Sequence, residues 1–389
     1  MNKIGIVAAK RSAIGKIPGE LNYINETELV STLFKAVTSE LPNISIDEAL
    51  LGSGFPIERD NLCRKAILKA ELPSTISATT ISKTCASSDE ALLIACNKIW
   101  SGKIKAALVG GVEKVGNSPY TLHFMKQNIK RSLKGDIPFF KQIENNFLEN
   151  DMVYICEMLS KIHNITRKNQ DDFTIQSINK GNMANLQGYF NREIVPIKYK
   201  YEDLSYEISS DEMLLSERDE FDIYKAMPMF VKDGTVTQYN AAPMSECATA
   251  MLIMDLQEAR RLGLEPMACI VDTTSLGVPV NEVGEAMSKC VNKILNNNYL
   301  IAGDIDLYEI NESFAAQAIH TINSLNLDIT KVNVNGGNLA LGYPIGTTGI
   351  RMNITLLYEM LRRKVRFGLS VMCAGGNMAN AILLENTYF

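Results

Sequence analysis

The stretch "ATTISKTCASSDEALLIAC" sets a cysteine, Cys85, where small polar residues give way to an apolar, helix-forming run. A thiol at a helix start faces unpaired backbone N–H groups and the positive end of the helix dipole. Both favour the thiolate, which is the nucleophile. The neighbours Ser82, Thr84, Ser87 and Ser88 are small enough for a bulky acyl group to approach. Taken alone, the same cysteine also reads as a small buried hydrophobe. Three further stretches bear on it. "NESFA" puts Asn311 and Glu312 at the expected start of a helix, where an asparagine also serves as an N-cap. "NGGNLALGYPIGTTG" is rich in glycine, which lets backbone approach a ligand closely, but it fits neither GxGxxG nor the P-loop. "MCAGGNMANA" places Cys373 just before Gly375 and Gly376, a tight turn with exposed N–H groups that would also serve an ordinary hairpin.

These residues need elements to hold them, and the pattern supplies α/β units. "IGIVAAK" and "EALLGSG" read as buried strands, and "ETELVSTLFKAVTSEL" has helical spacing. After Cys85, "DEALLIACNKIWSG" is apolar on most faces and so predicts a buried helix; "KAALVGGVEKV" then reads as a buried strand. From about 117 to 245 charge rises and alternation fades, as in an excursion from the core. Regular α/β text returns with "CATAMLIMDLQEARRLG", and the last third repeats the grammar of the first. The division this predicts is 1–116 with 246–262 as one half, 117–245 as an inserted loop domain and 263–389 as a second half.

Bulk properties narrow the function. The 389 residues are 46% hydrophobic and 21% charged, which suits a globular protein with a sizeable core. A net charge of −5 argues against a general nucleic-acid binder or an anionic-membrane binder. No apolar run is long enough to span a bilayer. The eight cysteines are scattered without a CxxC pair, and with three histidines a zinc site is not expected. Most of these thiols read as buried hydrophobes in a reducing, cytoplasmic compartment.

The ordered set "AAKRSAIGK", "TCASS", "GGVEKVGNSPY", "GTVTQYNAA", "YEINESFAAQ", "NGGNLALGYPIGTTG" and "MCAGGNMANA" resembles the thiolase family, acyl-CoA acyltransferases that make or cleave 3-oxoacyl-CoA, over essentially the whole chain. The resemblance implies an α/β thiolase fold: two similar five-layered halves (αβαβα) with an inserted loop domain that binds CoA. It implies that Cys85 carries the acyl group as a thioester and that Asn311 positions a water in one oxyanion hole. Cys373 then shuttles a proton, and Gly375 with the Cys85 N–H forms the other hole. Met152 and Ala242 fall at CoA-binding positions. Acyl-CoA is implied as substrate, with no tightly bound cofactor, no metal, no nucleic-acid or membrane partner, and a homodimer or homotetramer.

The chain departs from that pattern at several places. Tyr343 stands where the family has its catalytic histidine, and a phenol of pKa near 10 is a poor base at neutral pH although it can donate a hydrogen bond. "CASS" replaces "CGSG", Ala242 replaces a serine expected near the pantetheine, and Asn377 replaces a third glycine. His123 could reach Cys85 from the loop domain, and Lys126, Lys130, Arg131 and Lys134 could meet CoA phosphates; a loop histidine without a role and a solvated charge run are the plainer readings. His320 is expected too far along its helix to help. The departures leave open an acyltransferase with a different acceptor, and a catalytically impaired CoA-binding subunit.

Overall fold

The computed structural model describes residues 3–388 except 40, 42–43, 56–59, 118–151, 217 and 230. In chain order the strands are β1 (Ile4–Arg11), β2 (Glu48–Gly52), β3 (Ser77–Ile81), β4 (Ala106–Glu113), β5 (Ile197–Tyr201), β6 (Leu204–Ile208), β7 (Cys247–Asp255), β8 (Ala268–Gly277), β9 (Leu307–Ile310), β10 (Phe367–Ala374) and β11 (Met378–Asn386). The helices that matter below are α1 (Glu26–Ser39), α2 (Leu62–Lys69), α3 (Ser87–Trp100), α4 (Met152–Ile162), α5 (Arg167–Leu186), α6 (Glu220–Lys225), α7 (Leu256–Arg261), α8 (Ala286–Asn297), α9 (Ala315–Ser324), α10 (Asn338–Leu341) and α11 (Thr348–Arg363).

Nine strands form one mixed sheet in the order β3-β2-β4-β7-β1-β8-β11-β10-β9, while β5 and β6 make a separate hairpin. The apolar runs of β2, β4 and β7 are buried along their whole length, as strands covered on both faces must be. The two halves of the sheet meet where β1 pairs antiparallel with β8, Ile4 opposite Ile270 and Ile6 opposite Ala268. Alternate residues of both halves face one shared core with α3 and α11. The opposite faces are covered by α1 and α2 on the first half and by α8 and α9 on the second. The layers therefore run helix, sheet, helix, sheet, helix, with the middle helical layer common to both halves.

The predicted burial of α3 is met: Ser87, Ser88 and Asp89 in its first turn are as enclosed as its leucines. The contact with α11 explains why. A side chain at Gly349 would meet the Asp89 carboxylate at 2.2 Å, so the two helices pack backbone against carboxylate. Ile350 N–H donates to Ser88 Oγ at 3.2 Å, and Asn353 Nδ2 lies 3.4 Å from Asp89 Oδ1. α3 follows β3, and α11 opens just after Gly346, which is bonded to Glu113 at the end of β4, so the first turns of the two helices meet.

Burial pushes the Asp89 carboxyl up to about 7, with Lys83 opposing and Glu90 adding to the shift. A carboxyl raised in this way holds its proton in the folded chain at pH values where the unfolded chain has lost it. Its contribution to stability is complete below the ordinary carboxylate range and is lost as pH rises through about 7. Each pKa unit corresponds to about 1.4 kcal/mol. Asp89→Asn should therefore flatten the fall in melting temperature between about pH 5 and pH 8. Thermal melts across that range check this, and an unchanged slope would contradict it.

Candidate active site

Cys85 lies two residues before α3, directly after Thr84, whose backbone is left-handed at φ 49°. Thr84 closes a turn in which Ser87 N–H donates to Thr84 C=O and Ser87 Oγ caps Lys83 N–H at 2.9 Å. Of the eight free cysteines, Cys85 alone is not fully buried. The expectation that the helix start would favour its thiolate is corrected by the structure. Protein encloses the sulfur closely enough that desolvation dominates and pushes the thiol up to about 11, with Cys373 adding to the rise. Hydrogen bonds from the Tyr343 hydroxyl and the Gly375 N–H pull the other way without cancelling it. The Cys85 sulfur is held as a neutral thiol with two donors directed at it.

Gly375 comes from the turn between β10 and β11, which pair from Phe367 opposite Glu385 to Ala374 opposite Met378. The turn requires left-handed backbone at Gly376 (φ 83°) and Asn377 (φ 62°). Asparagine tolerates that conformation better than other residues with a side chain, so the loss of a third glycine leaves the turn intact. Cys373 is the penultimate residue of β10 and is buried. Its sulfur donates to Gln317 Oε1 at 3.3 Å. Desolvation raises its thiol, and bonds with Ser313, Asn311 and Gln317 moderate the rise.

Asn311 differs from its sequence reading. It follows β9 directly and is no helix cap: α9 starts at Ala315 with Phe314 at its N-cap. Asn311 N–H donates to Val371 C=O at 2.9 Å, which carries the register of β9 and β10 one residue further. Its Nδ2 sits 2.7 Å from Ser313 Oγ, 3.4 Å from Cys373 Sγ and 3.5 Å from Tyr343 Oη. Its Oδ1 accepts from Asn338 Nδ2, and Asn338 in turn accepts from the buried Arg351 guanidinium. The amide orientation is fixed by this second bond, since only Nδ2 can donate towards the sulfur.

Tyr343 occupies the centre. The turn before it needs Gly342, at φ 103°, where a side chain would also strike Ser245 Oγ at 2.7 Å. Tyr343 N–H donates to Pro243 C=O at 2.8 Å, and Ser245 N–H donates back to Tyr343 C=O at 3.2 Å. The Tyr343 phenol is 7% exposed, and burial beside the two cysteines holds it well above its usual range. It is therefore a donor and not a base. After Pro344 the loop is clamped by Glu113, at the end of β4, which accepts from the N–H groups of Gly346 (2.7 Å), Gly54 (3.1 Å) and Phe55 (3.2 Å). Desolvation pushes this carboxyl up to about 7 against those three donors. A Cβ at Gly346 would fall 2.0 Å from Gly54 N, so only glycine permits that approach.

The structure thus brings Cys85, Asn311, Tyr343, Cys373 and Gly375 together. Ala242 joins them through its backbone: Ala242 N–H donates to Ser313 C=O at 2.9 Å. Met152 opens α4 and packs on the outer core of the second half, with no bond to the cluster among the described contacts. His320 faces His163, ring centres 4.1 Å apart, and makes no described contact with Cys85. His123, Lys126, Lys130, Arg131 and Lys134 lie outside the described residues. Among the described residues no group of three metal-ligating side chains converges, and no helix is long and apolar enough to cross a membrane. Sequence reasoning missed Ser313 and Glu113. Ser313 was in plain view two residues after Asn311, but a serine beside a helix start reads as a cap.

Comparisons with known sequences and structures bear on the family and the fold. A family model described as Thiolase, N-terminal domain, matches residues 4–257, and one described as Thiolase, C-terminal domain, matches residues 264–386. The acetyl-CoA acetyltransferase of Cupriavidus necator is 33% identical over 393 residues, spanning 99% of this chain and 100% of that protein. The crystal structure of human mitochondrial 3-ketoacyl-CoA thiolase superposes with a TM-score of 0.93 at 29% identity, covering 99% of both chains. That of the Bacillus anthracis acetyl-CoA acetyltransferase superposes with a TM-score of 0.93 at 32% identity, again over 99% of both.

Removing the Tyr343 hydroxyl should push the Cys85 thiol higher still. Tyr343→Phe is expected to slow iodoacetamide alkylation of Cys85 several-fold between about pH 7 and pH 9, because only the thiolate reacts. Peptide mapping of the alkylated chain measures it; a faster reaction would show that Tyr343 does not donate to the sulfur.

Proposed function

The chain belongs to the thiolase family, and from that premise we propose that its acyl-CoA acyltransferase activity runs through an acyl thioester on Cys85. The observation that carries the reading is the convergence of two sulfurs, Cys85 and Cys373, with Asn311 Nδ2 3.4 Å from the second and the Gly375 N–H on the first. Acyl-CoA is the substrate, and no tightly bound cofactor is called for. The Gly375 N–H, with the N–H of Cys85, serves as an oxyanion hole for the acyl carbonyl; such preorganised donors often supply the largest catalytic contribution. Asn311 and the Tyr343 hydroxyl stabilise the second carbonyl, and Cys373 gives and takes the proton at the leaving sulfur or at the α-carbon of the acceptor.

Formation or cleavage of an acetoacetyl-CoA type 3-oxoacyl-CoA is the reaction this supports. A different acceptor is the second reading, favoured by Tyr343: it fills the site with a phenol that cannot act as a base at neutral pH. The division into 1–116 with 246–262, 117–245 and 263–389, a loop domain that takes CoA past Met152 and Ala242, and assembly as a homodimer or homotetramer belong to the same proposal.

Intact mass after incubation with acetyl-CoA tests it. A single acetyl adduct on the wild-type chain, absent from Cys85→Ser, is expected. No adduct on the wild type at any pH or acyl length would make the protein a CoA-binding subunit instead. Tyr343→His should raise acetoacetyl-CoA thiolysis by about 10²-fold if this position alone limits the base step. No gain would favour the other acceptor.

A further inference from the structure

Ser313 is the residue whose placement the proposed thioester chemistry leaves unexplained. It is buried, and its Oγ lies 3.3 Å from Tyr343 Oη and 3.5 Å from Cys373 Sγ. Asn311 Nδ2 donates to the same oxygen at 2.7 Å, so its lone pairs are held in place and its single proton is left for Tyr343 or Cys373. The backbone is held as firmly. Ala242 N–H bonds Ser313 C=O and Tyr343 N–H bonds Pro243 C=O, so two adjacent residues of one segment fix the spacing of the two hydroxyls.

We propose that Ser313 and Tyr343 form a proton relay between the two sulfurs, Cys85–Tyr343–Ser313–Cys373, which takes over the task of a single base. The inference rests on the acyl-Cys85 reading. As Cys85 sulfur bonds to the acyl carbonyl carbon, its proton passes to Tyr343 Oη. The proton of Tyr343 passes to Ser313 Oγ, and that of Ser313 passes to Cys373 Sγ. Cys373 gives its own proton to the CoA sulfur as the bond from that sulfur to the acyl carbon breaks. Acyl-CoA and a thiol yield an acyl thioester and CoA, and each hydroxyl ends with the one proton it began with.

This resolves the difficulty raised by a buried phenol. Tyr343 never has to exist as a phenolate, because it accepts one proton while releasing another. With Cys85 as a thiol both hydroxyls point towards it, Ser313 donating to Tyr343 and Tyr343 to the sulfur, so both O–H bonds must turn towards Cys373 before the proton leaves Cys85. Among the described residues, the titratable groups that face Cys85 are Tyr343, Cys373 and, from the end of β4, Glu113. Glu113 is occupied by three backbone N–H groups, which leaves the hydroxyl chain as the bonded route.

The test is the rate of Cys85 acylation by acetyl-CoA in the full chain, in water and in mixtures with heavy water. Wild type should show a curved dependence on deuterium fraction, because several protons move together. Ser313→Ala should lose about 10²-fold in rate and become linear, while Ser313→Thr, which keeps the hydroxyl, should recover most of the rate. Ser313→Ala at the wild-type rate, or with the curve retained, overturns the relay and leaves acyl-Cys85 standing. Should Ser313→Ala melt early, the wild-type curve decides: a linear one overturns the relay. A wild-type chain that takes no acetyl group at all removes the functional reading, and the relay with it.

Discussion

One buried carboxylate holds the two halves of this molecule in register. Glu113 ends β4 in the first half, yet one of its three donors, Gly346, is 233 residues further along the chain. The other two, Gly54 and Phe55, come from the loop after β2. Hydrogen bonds to a charged group contribute about 1.5–3 kcal/mol each, and an unpartnered buried carboxylate would cost more than that. The carboxylate therefore fixes where the loop after Tyr343 can run. Tyr343, only three residues before Gly346, inherits its position from that clamp and from its backbone ladder with Pro243 and Ser245.

Around this clamp protein encloses much of the site, and that enclosure sets its chemistry. Desolvation is the largest influence on Cys85, Cys373 and Tyr343 alike, and in each case it favours the neutral form. A helix start lowers a thiol only when its charge is not being taken out of water at the same time. Here desolvation is the largest influence on the thiol. What the protein offers instead is directed donors, which stabilise charge only where and when it develops. Several buried polar groups around the site partner one another: Asn311 with Asn338, Asn338 with Arg351, Glu312 with Ser177 and Asn333.

Much of this was legible in the residues alone. The apolar runs of β2, β4 and β7 announced strands covered on both faces, and the all-round apolar character of α3 announced a helix inside the molecule. The glycines at 375 and 376 announced the hairpin that presents an N–H to Cys85. Spacing could not show what depends on long-range closure. Asn311 looked like a cap because sequence reports its neighbours in the chain, whereas its orientation is decided by Asn338 and by β10. Ser313 passed unnoticed for the same reason: two of its partners are 30 and 60 residues away. The pull of the helix start on Cys85 was legible and the opposing enclosure was not, since burial is a property of the folded whole.

The seam between β1 and β8 has a consequence for how the molecule is made. The strand that opens the chain finds its second neighbour only at residues 268–270. Until those residues have left the ribosome, one edge of β1 is unpaired, and the side of α3 that packs on α11 waits longer still, for residues 348–363. The nascent first half must wait with adhesive surface in the open, and closing so long a loop is slow. Cys85 is thus synthesised early and assembled last, so protection during translation is as much a requirement of this architecture as any contact in its finished state.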